Sequence, residues 1–432
     1  MKAVHDLWPR GVISRRAGAP AAEVEVRRPA TYEEVASLLR SGTRMIPFGG
    51  LSGVVGAVAP DAGQVALDLG GFDRILAIDE VELTVHVQAG VRGLDLEQAL
   101  NARGLTLGHH PSSLPVATVG GLISTRSSGQ ESTRHGSIED MVLGLTVALP
   151  DGTLARPRPG PRSAVGPALH QLLVGAEGGL GVVLDAVLRV HRQPEAVEGR
   201  GWLFADVEAG LEAVREIVQS GVRPLVLRLY DAEDTQFQGI AERGCLLVAA
   251  TAGEPEVARA EAAVVARAAA AARDLGPEPW ERWRRHRYDL SAERMLDMLE
   301  PPGAYLDTIE IAAGWRILPE VYREVKAALT AGSSLALCHF SHAYPQGCCA
   351  YFTFAGSSTD EEQALAAYDR CWAETMRICL ARGATISHHH GVGQARAAWM
   401  RQELDGWWPV WEKVRAALDP GGVMNPKAVG GR

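Results

Sequence analysis

The stretch Gly108-His-His-Pro-Ser-Ser-Leu-Pro-Val-Ala-Thr-Val-Gly-Gly-Leu-Ile-Ser-Thr-Arg-Ser-Ser-Gly129 carries the strongest signal for the fold. Small, hydroxylated and glycine residues follow one another there with few charges, whereas a flexible surface loop is richer in charge. Small side chains let a chain press against a bulky flat ligand, and hydroxyl groups suit the polar edges of such a ligand. On this stretch alone, a buried turn region remains the alternative.

Two further glycine-rich segments lie on either side of this stretch. Pro47-Phe-Gly-Gly-Leu-Ser-Gly53 follows a predicted strand over 44–48, and Gly175-Ala-Glu-Gly-Gly-Leu-Gly-Val-Val183 runs into a predicted strand over 181–190. Glycine lets backbone N–H groups approach and cradle a pyrophosphate. The first segment is neither a GxGxxG fingerprint nor a P-loop, so its signal is weak in isolation.

The composition narrows the class of protein. The chain has 432 residues, a net charge of −9 and 47% hydrophobic residues. This acidic balance argues against a nucleic-acid binder, because neutralising phosphates requires a basic face. The apolar content is ordinary for a globular protein, and the length predicts two to four domains.

The sequence also carries signals of location. No stretch reaches the ~20 apolar residues of a transmembrane helix, and residues 1–16 contain no apolar signal-peptide core. The six cysteines have no metal-ligand spacing, so we expect them to be reduced and the protein to be cytoplasmic. The excess of arginine over lysine suggests a bacterial source with a GC-rich genome.

The order of predicted elements indicates an α+β protein. Short strands and helices alternate as far as Pro194, with a helix over 32–39 capped by Thr31. Strands followed by longer helices come next, including an alanine-rich helix over 254–274, while 280–303 is charged and irregular. We therefore predict one domain over 20–195, a second α+β domain over 196–385, and a segment over 386–432 that returns to the first.

Two motifs in the second half carry chemistry. Ser387-His-His-His-Gly-Val-Gly393 suits acid–base work and anion binding in a pocket. A metal site is less favoured, because consecutive side chains point in different directions and would need distant ligands. On the strand around 351–354, Tyr351 and Thr353 share one face, and Tyr351 by itself is typical of a core aromatic residue.

These motifs together resemble known flavoproteins. The three glycine-rich segments, in order, resemble the FAD-binding domain of the vanillyl-alcohol-oxidase (PCMH) type. Ser341-His-Ala-Tyr-Pro-Gln-Gly-Cys-Cys-Ala-Tyr-Phe352, followed by the histidine motif, resembles the alkylglycerone phosphate synthase (alkyldihydroxyacetonephosphate synthase) family. Arg228-Leu-Tyr-Asp and Asp307-Thr-Ile-Glu-Ile-Ala-Ala-Gly-Trp315 match that family as well.

The resemblance implies a fold and a cofactor. The fold is an FAD-binding domain of that type with an α+β cap domain for the substrate. FAD is expected to be non-covalent, because residues 47–53 contain no histidine. The implied cofactor-binding residues are Pro47, Gly49, Gly50, Leu51, Ser52, Gly53, His109, Pro111, Ser112, Ser113, Thr118, Gly120, Gly121, Ser124, Thr125, Ser128, Gly129, Glu177, Gly178, Gly181, Val182 and Val183.

The resemblance also implies an activity. This activity is the exchange of an acyl for an alkyl group on a dihydroxyacetone-phosphate-type substrate, through an adduct at flavin N5. The implied roles are acid–base catalysis by Tyr351, base and anion contacts by His388, His389 and His390, and orientation of these histidines by Arg228. Neighbouring cations, the histidines and Arg228, are expected to activate the tyrosine.

The implied substrate-binding residues are Arg294, Thr308 and His342. Family members carry a phosphate-binding arginine before the Asp307–Trp315 frame. Counting back without gaps places Leu296 at that position, two residues from Arg294.

Other functions and partners stay open at this point. An FAD-dependent oxidoreductase of a 2-hydroxy acid or alcohol would share the fold, although such enzymes show Gly-Glu-His-Gly where this chain has His388-His-His-Gly391. A flavin-binding protein without turnover is a third reading. We expect a small or lipid-like substrate, a homodimer, no nucleic acid and no metal. The apolar residues of 294–299 predict either a peripheral membrane contact or packing in the core.

Overall fold

Four β-sheets organise the chain in this computed structural model, which describes residues 1–289 and 292–431, with the backbone only of 292 and 293. Three of the sheets lie before residue 195. In spatial order their strands are Lys2–Ala3, Glu23–Arg27, Val65–Asp68 and Met45–Phe48; Ile75–Asp79, Thr84–Gln88, Val182–Arg189, Val142–Ala148 and Leu154–Ala155; and His191–Arg192 with Leu105–Thr106.

The fourth sheet is the largest and lies in the second half of the chain. Its strands, in spatial order, are Arg273–Gly276, Ala196–Phe204, Cys245–Gly253, Val226–Tyr230, Leu335–Tyr344, Gly347–Ser357 and Ala304–Gly314. All of its strand pairs are antiparallel. Phe352 and Phe354 are fully buried on one face, which leaves Tyr351 and Thr353 on the other, as the alternation predicts.

Helices pack around these sheets. The α-helices are Pro9–Arg16, Tyr32–Arg40, Gly93–Asn101, Val119–Ser124, Ser132–His135, Ile138–Met141, Val207–Gln219, Ala232–Phe237, Pro255–Ala268, Glu278–His286, Ala292–Leu299, Leu318–Gly332, Glu361–Arg382, Met400–Leu404 and Trp408–Leu418. The Thr31 side chain accepts a hydrogen bond from the backbone N–H of Glu34, which confirms that cap. No described helix combines the length and apolar character needed to cross a bilayer.

Two expectations about the second half were wrong. The alanine-rich helix ends at Ala268, because Arg273–Gly276 pairs with the edge of the large sheet instead of continuing the helix. The segment expected to be irregular contains the helices Glu278–His286 and Ala292–Leu299. Trp280 and Trp283 anchor the first of them in a small apolar cluster on the sheet.

The end of the chain packs against the first domain. The backbone N–H of Met45 donates to the carbonyl oxygen of Val423, and Met424 is buried beside Val35 and Leu67. The Asn425 side chain donates to backbone carbonyls of residues 57 and 177. These contacts bring residues 423–425 close to the first and third glycine-rich segments.

Candidate active site

One face of the large sheet presents a row of polar side chains. On neighbouring strands Tyr351 lies directly opposite Glu310 on one side and His339 on the other. Directly opposite residues share a face, so these three side chains project together. The Tyr351 hydroxyl donates to Thr308 Oγ1 at 3.1 Å, and its ring stacks on that of His339 with centroids 4.7 Å apart.

A loop carrying the three histidines, residues 387–393 (the histidine loop), lies over this face. Glu310 holds it there: its carboxylate accepts hydrogen bonds from the backbone N–H groups of His388 at 2.5 Å and His390 at 2.8 Å. The fully buried guanidinium of Arg396 donates to the same carboxylate at 2.9 Å. Burial raises the pKa of Glu310, but Arg396 and the histidine-loop contacts outweigh it and leave the pKa lowered, so the carboxylate is ionised.

The histidine side chains converge instead of diverging. His388 Nδ1 and His389 Nδ1 lie 2.9 Å apart, and one nitrogen from each of His342, His388 and His389 falls within 4.8 Å of the others. Consecutive residues were expected to point apart, as they do on a strand; the irregular loop overturns that reasoning. Three imidazoles in this arrangement resemble a metal-ligand set, and the absence of a metal stays a prediction.

His342 reaches the cluster through a β-bulge. The register between the two adjacent strands shifts at this position, leaving His342 as the extra residue with a left-handed backbone, φ 52°. A bulge re-aims a side chain, and here it brings His342 Nδ1 to 2.5 Å from the hydroxyl of Ser132 in the first domain. The ring stacks on that of His388 with centroids 4.9 Å apart. The structure thus places this predicted substrate-binding residue in the cluster.

Burial leaves these groups uncharged. It lowers the pKa values of His342, His388 and His389, and it lowers that of His390 to about 4, so all four are neutral at pH 7. Burial also raises the pKa of Tyr351. The expected activation of this tyrosine by cationic histidines is therefore wrong, because desolvation disfavours charge on both partners. Tyr351 is protonated here and has a proton to donate.

Arg228 has a different partner from the one expected. Its guanidinium donates to Nε2 of His339 at 2.6 Å, and His339 in turn stacks on Tyr351. Its described hydrogen bonds do not reach the side chains of the histidine loop. The structure thus pairs Arg228 with His339, and the expectation that it orients the histidine loop is corrected. The cause is the register, which puts His339 on the strand between Arg228 and Tyr351.

The glycine-rich segments meet one another. A Cβ on Gly49 would lie 2.1 Å from Thr118 Oγ1, one on Gly50 would lie 2.0 Å from the carbonyl oxygen of Val116, and one on Gly178 would touch Pro47. Only glycine permits these approaches. Backbone N–H groups of 50–53 donate to no described residue, which suits a bound pyrophosphate. The residues present therefore fit FAD.

Leu51 and Glu177 behave differently from the glycines around them. Leu51 adopts the left-handed conformation with φ 53°. The carboxylate of Glu177 accepts from the backbone N–H groups of Val392, Gly393 and Val429 at 2.7–3.1 Å. The Glu177 side chain thus ties the histidine loop to the first domain, and its contact with the cofactor stays a prediction.

The structure also gives the positions of three other predicted site residues, His109, Ser128 and Arg294. His109 is fully buried with Nε2 2.7 Å from the Ser127 hydroxyl, and Ser128 bonds to Ser137 at 2.5 Å. Arg294 lies on the helix Ala292–Leu299, where it donates to the carbonyl of Asp289, and its substrate role stays a prediction. On that helix Leu299 is buried in the core while Met298 is exposed.

Sequence reasoning missed Glu310, His339, Asp234 and Arg396. Glu310 lies in the quoted Asp307–Trp315 frame, where a carboxylate among alternating apolar residues was the available signal. His339 precedes the quoted Ser341 motif by two residues. Nothing in the sequence around Asp234 or Arg396 distinguishes them from surface charges, although both are buried.

Comparison with known proteins defines the class. Residues 24–157 match the family model described as FAD binding domain, and residues 193–429 match the one described as FAD linked oxidases, C-terminal domain. The chain is thus an FAD-linked flavoprotein of the oxidase type, and both matches support FAD as its cofactor. The expected fold class, an α+β protein with an FAD-binding domain of this type, is confirmed.

Individual relatives define the family. The chain is 32% identical to the alkyldihydroxyacetonephosphate synthase of Dictyostelium discoideum, over 92% of this chain and 72% of that protein. It is 33% identical to the uncharacterized FAD-linked oxidoreductase YgcU of Escherichia coli K12, over 84% and 78%. A solved alkyldihydroxyacetonephosphate synthase structure superposes with a TM-score of 0.83 at 27% identity, covering 98% of this chain and 81% of that one. The chain belongs to the alkyldihydroxyacetonephosphate synthase family.

Proposed function

We propose that this protein exchanges the acyl group of an acylated dihydroxyacetone-phosphate-type substrate for an alkyl group, using FAD. The observation that carries the proposal is that the neutral histidines of the histidine loop lie over a sheet face that carries protonated Tyr351 and Arg228. Such a site has a proton donor, proton acceptors and a cation in contact, as displacement of a carboxylate by an alcohol requires. Bound FAD would supply the reactive nitrogen.

Each group has a distinct task in this proposal. Tyr351 donates a proton to the departing carboxylate, since its raised pKa keeps the hydroxyl protonated at pH 7. The tyrosinate then takes the proton that the incoming alcohol loses as its oxygen bonds to the substrate carbon. A neutral histidine of the histidine loop accepts a proton from the substrate carbon. Residues 47–53 and Thr118 would hold the cofactor, and the buried surroundings exclude water from it. A lipid-like substrate, a homodimer and a membrane contact remain parts of the proposal.

Exchange of a labelled long-chain alcohol tests the proposal. Incubating the FAD-loaded protein with acyl-dihydroxyacetone phosphate and a radiolabelled fatty alcohol should yield labelled ether product without oxygen consumption. No label in the product, under conditions where a known synthase labels it, would contradict the proposal.

A second candidate is oxidation of a 2-hydroxy acid or an alcohol. The match of residues 193–429 to the FAD linked oxidases favours it. In that case D-lactate or a related acid would bleach the flavin absorbance under anaerobic conditions. The alkyl exchange proposal expects no bleaching, so one anaerobic spectrum separates the two.

A further inference from the structure

His339 is an imidazole on the sheet face that the proposed chemistry does not use. It is held from two sides: Nε2 lies 2.6 Å from Arg228 Nη2, and Nδ1 lies 3.4 Å from the carboxylate of Asp234. A guanidinium has only donors, so Nε2 must accept, and the ring proton must be on Nδ1 facing Asp234. The contacts on both sides therefore fix one tautomer.

The charges around the ring agree with that tautomer. Burial lowers the pKa of His339 to about 4, and Arg228 lowers it further while Asp234 opposes the shift. Burial raises the pKa of Asp234, but its contacts with His339, Gln238 and Arg228 outweigh burial, so its carboxylate is ionised. The rings of Tyr230 and Tyr351 cover the imidazole at 5.7 and 4.7 Å. His339 is thus a neutral spacer between a carboxylate and a guanidinium.

A neutral acceptor at this position has a consequence for Tyr351. Glu310 and Asp307 raise the pKa of Tyr351, and Arg228 lowers it. A carboxylate bound directly to Arg228 beside Tyr351 would cancel the lowering of the Tyr351 pKa by Arg228. The imidazole orients Arg228 while keeping the Asp234 charge on its far side. Arg228 Nε, buried and without a described partner, stays available to an oxygen of the substrate.

We propose that Asp234 and His339 form a tautomer lock that positions Arg228 for the reaction at Tyr351. Asp234 accepts the Nδ1 proton, which leaves the Nε2 lone pair of His339 for Arg228. His339 and Asp234 are positioning residues, since both act through Arg228. This role rests on the proposed function of Tyr351 as proton donor, whereas the lock itself is a property of the folded chain.

Three variants and a control test the lock in the FAD-loaded protein. Asp234→Asn can present an amide N–H to Nδ1 and so favours the wrong tautomer. His339→Phe keeps the ring against Tyr351 and removes both hydrogen bonds, and His339→Gln keeps an acceptor for Arg228. The control is Glu233→Gln, the same acid-to-amide change on the same helix, where the carboxylate is exposed and pairs with Lys326 instead of His339.

The first readout is the tautomer, measured by ¹⁵N NMR of histidine-labelled protein. The signal that disappears in His339→Gln should show a protonated Nδ1 and an unprotonated Nε2 at pH 7. It should stay neutral down to about pH 5, change tautomer in Asp234→Asn, and remain unchanged in Glu233→Gln. A protonated Nε2 in the wild type, or no change in Asp234→Asn, would overturn the lock.

The second readout is the alcohol exchange. Asp234→Asn and His339→Phe should lower kcat by roughly 10–100-fold with KM within a few-fold, and His339→Gln should recover much of the loss. Activity of Asp234→Asn equal to that of Glu233→Gln would refute the positioning role. If wild-type protein shows no exchange, the proposed function fails, and the NMR measurement still decides the lock.

Discussion

At the scale of single residues, desolvation governs the chemistry of this site. Desolvation lowers the pKa values of His342, His388, His389 and His390, so each ring is neutral, and it raises the pKa of Tyr351, which keeps its proton. In the proposed reaction, the acid and the base are therefore distinguished by residue type and not by opposite charges. A buried tyrosine that donates and a buried imidazole that accepts need no pre-existing ion at pH 7.

Removal of the Tyr351 hydroxyl separates a catalytic role from a packing role. Tyr351→Phe keeps the ring on His339 and loses the bond to Thr308, so the free energy of unfolding should fall by at most ~1–2 kcal/mol. Turnover should fall by roughly 10²–10⁴, the contribution of a positioned proton donor. Activity assays and urea unfolding measure the two effects. Thr308→Val removes the same hydrogen bond and is the control for the unfolding measurement. Near-wild-type turnover of Tyr351→Phe would refute the acid role.

The buried His109 predicts a pH dependence of stability. Burial lowers the pKa of His109 to about 3, below its ordinary value near 6.5 in an unfolded chain. Between these two pH values the unfolded chain binds a proton on His109 that the folded chain does not bind. The contribution of His109 to the free energy of unfolding is therefore highest above pH 6.5 and falls as the pH is lowered toward 3.

His109→Gln isolates this contribution. Urea unfolding at pH 4.5–7 should show a shallower loss of unfolding free energy at low pH in the variant than in the wild type. The difference should approach ~1.4 kcal/mol per pH unit, which corresponds to one proton. Parallel curves for the two proteins would show that His109 is already protonated in the fold.

At the scale of elements, the site depends on a loop suspended from a strand. Glu310, in the middle of the strand Ala304–Gly314, binds the backbone of the histidine loop, and Glu177 binds its other end. A bulge in the strand Leu335–Tyr344 adds His342. The position of the histidine loop is thus set by its backbone contacts with Glu310 and Glu177.

The Glu310–Arg396 pair is the contact whose loss should cost most. Both side chains are fully buried, so Glu310→Gln leaves the Arg396 charge without its partner and should lower the unfolding free energy by about 3 kcal/mol. Asp369→Asn is the matched control, because its pair with Arg10 is largely exposed and contributes at most ~1 kcal/mol. Chemical denaturation measures both. Equal losses in the two variants would contradict a structural role for the buried pair.

At the scale of the whole molecule, the site lies where three parts of the chain meet. The glycine-rich segments come from the first domain, the polar sheet face from the second, and the histidine loop from the C-terminal segment. Asn425 and Glu177 join the last part to the first. Any one of the three parts alone lacks either the cofactor segments or the catalytic groups.

The mode of FAD binding can be checked on the whole protein. We expect purified protein to be yellow and acid precipitation to release all of its FAD, because residues 47–53 contain no histidine to form a covalent link. Absorbance of the supernatant at 450 nm against total flavin measures the released fraction. Flavin colour remaining on the washed, denatured polypeptide would show a covalent bond to another residue.

The local elements and the motifs of this protein follow from its sequence. Thr31 caps its predicted helix, alternation places Tyr351 and Phe352 on opposite faces, and the glycine-rich segments occur where only glycine allows close approach. These features depend on residues near in sequence, so the sequence contains the information for them. The family resemblance rests on the same local motifs.

Long-range packing decided the rest. The convergence of His388 and His389, the bulge at His342 and the partner of Arg228 all depend on strand register and on buried carboxylates distant in sequence. The protonation states depend on burial as well, and burial exists only in the folded chain. The sequence therefore determined which groups are present in this protein, and the tertiary structure decided which of them meet and which carry charge, because desolvation and cross-strand contact arise only on folding.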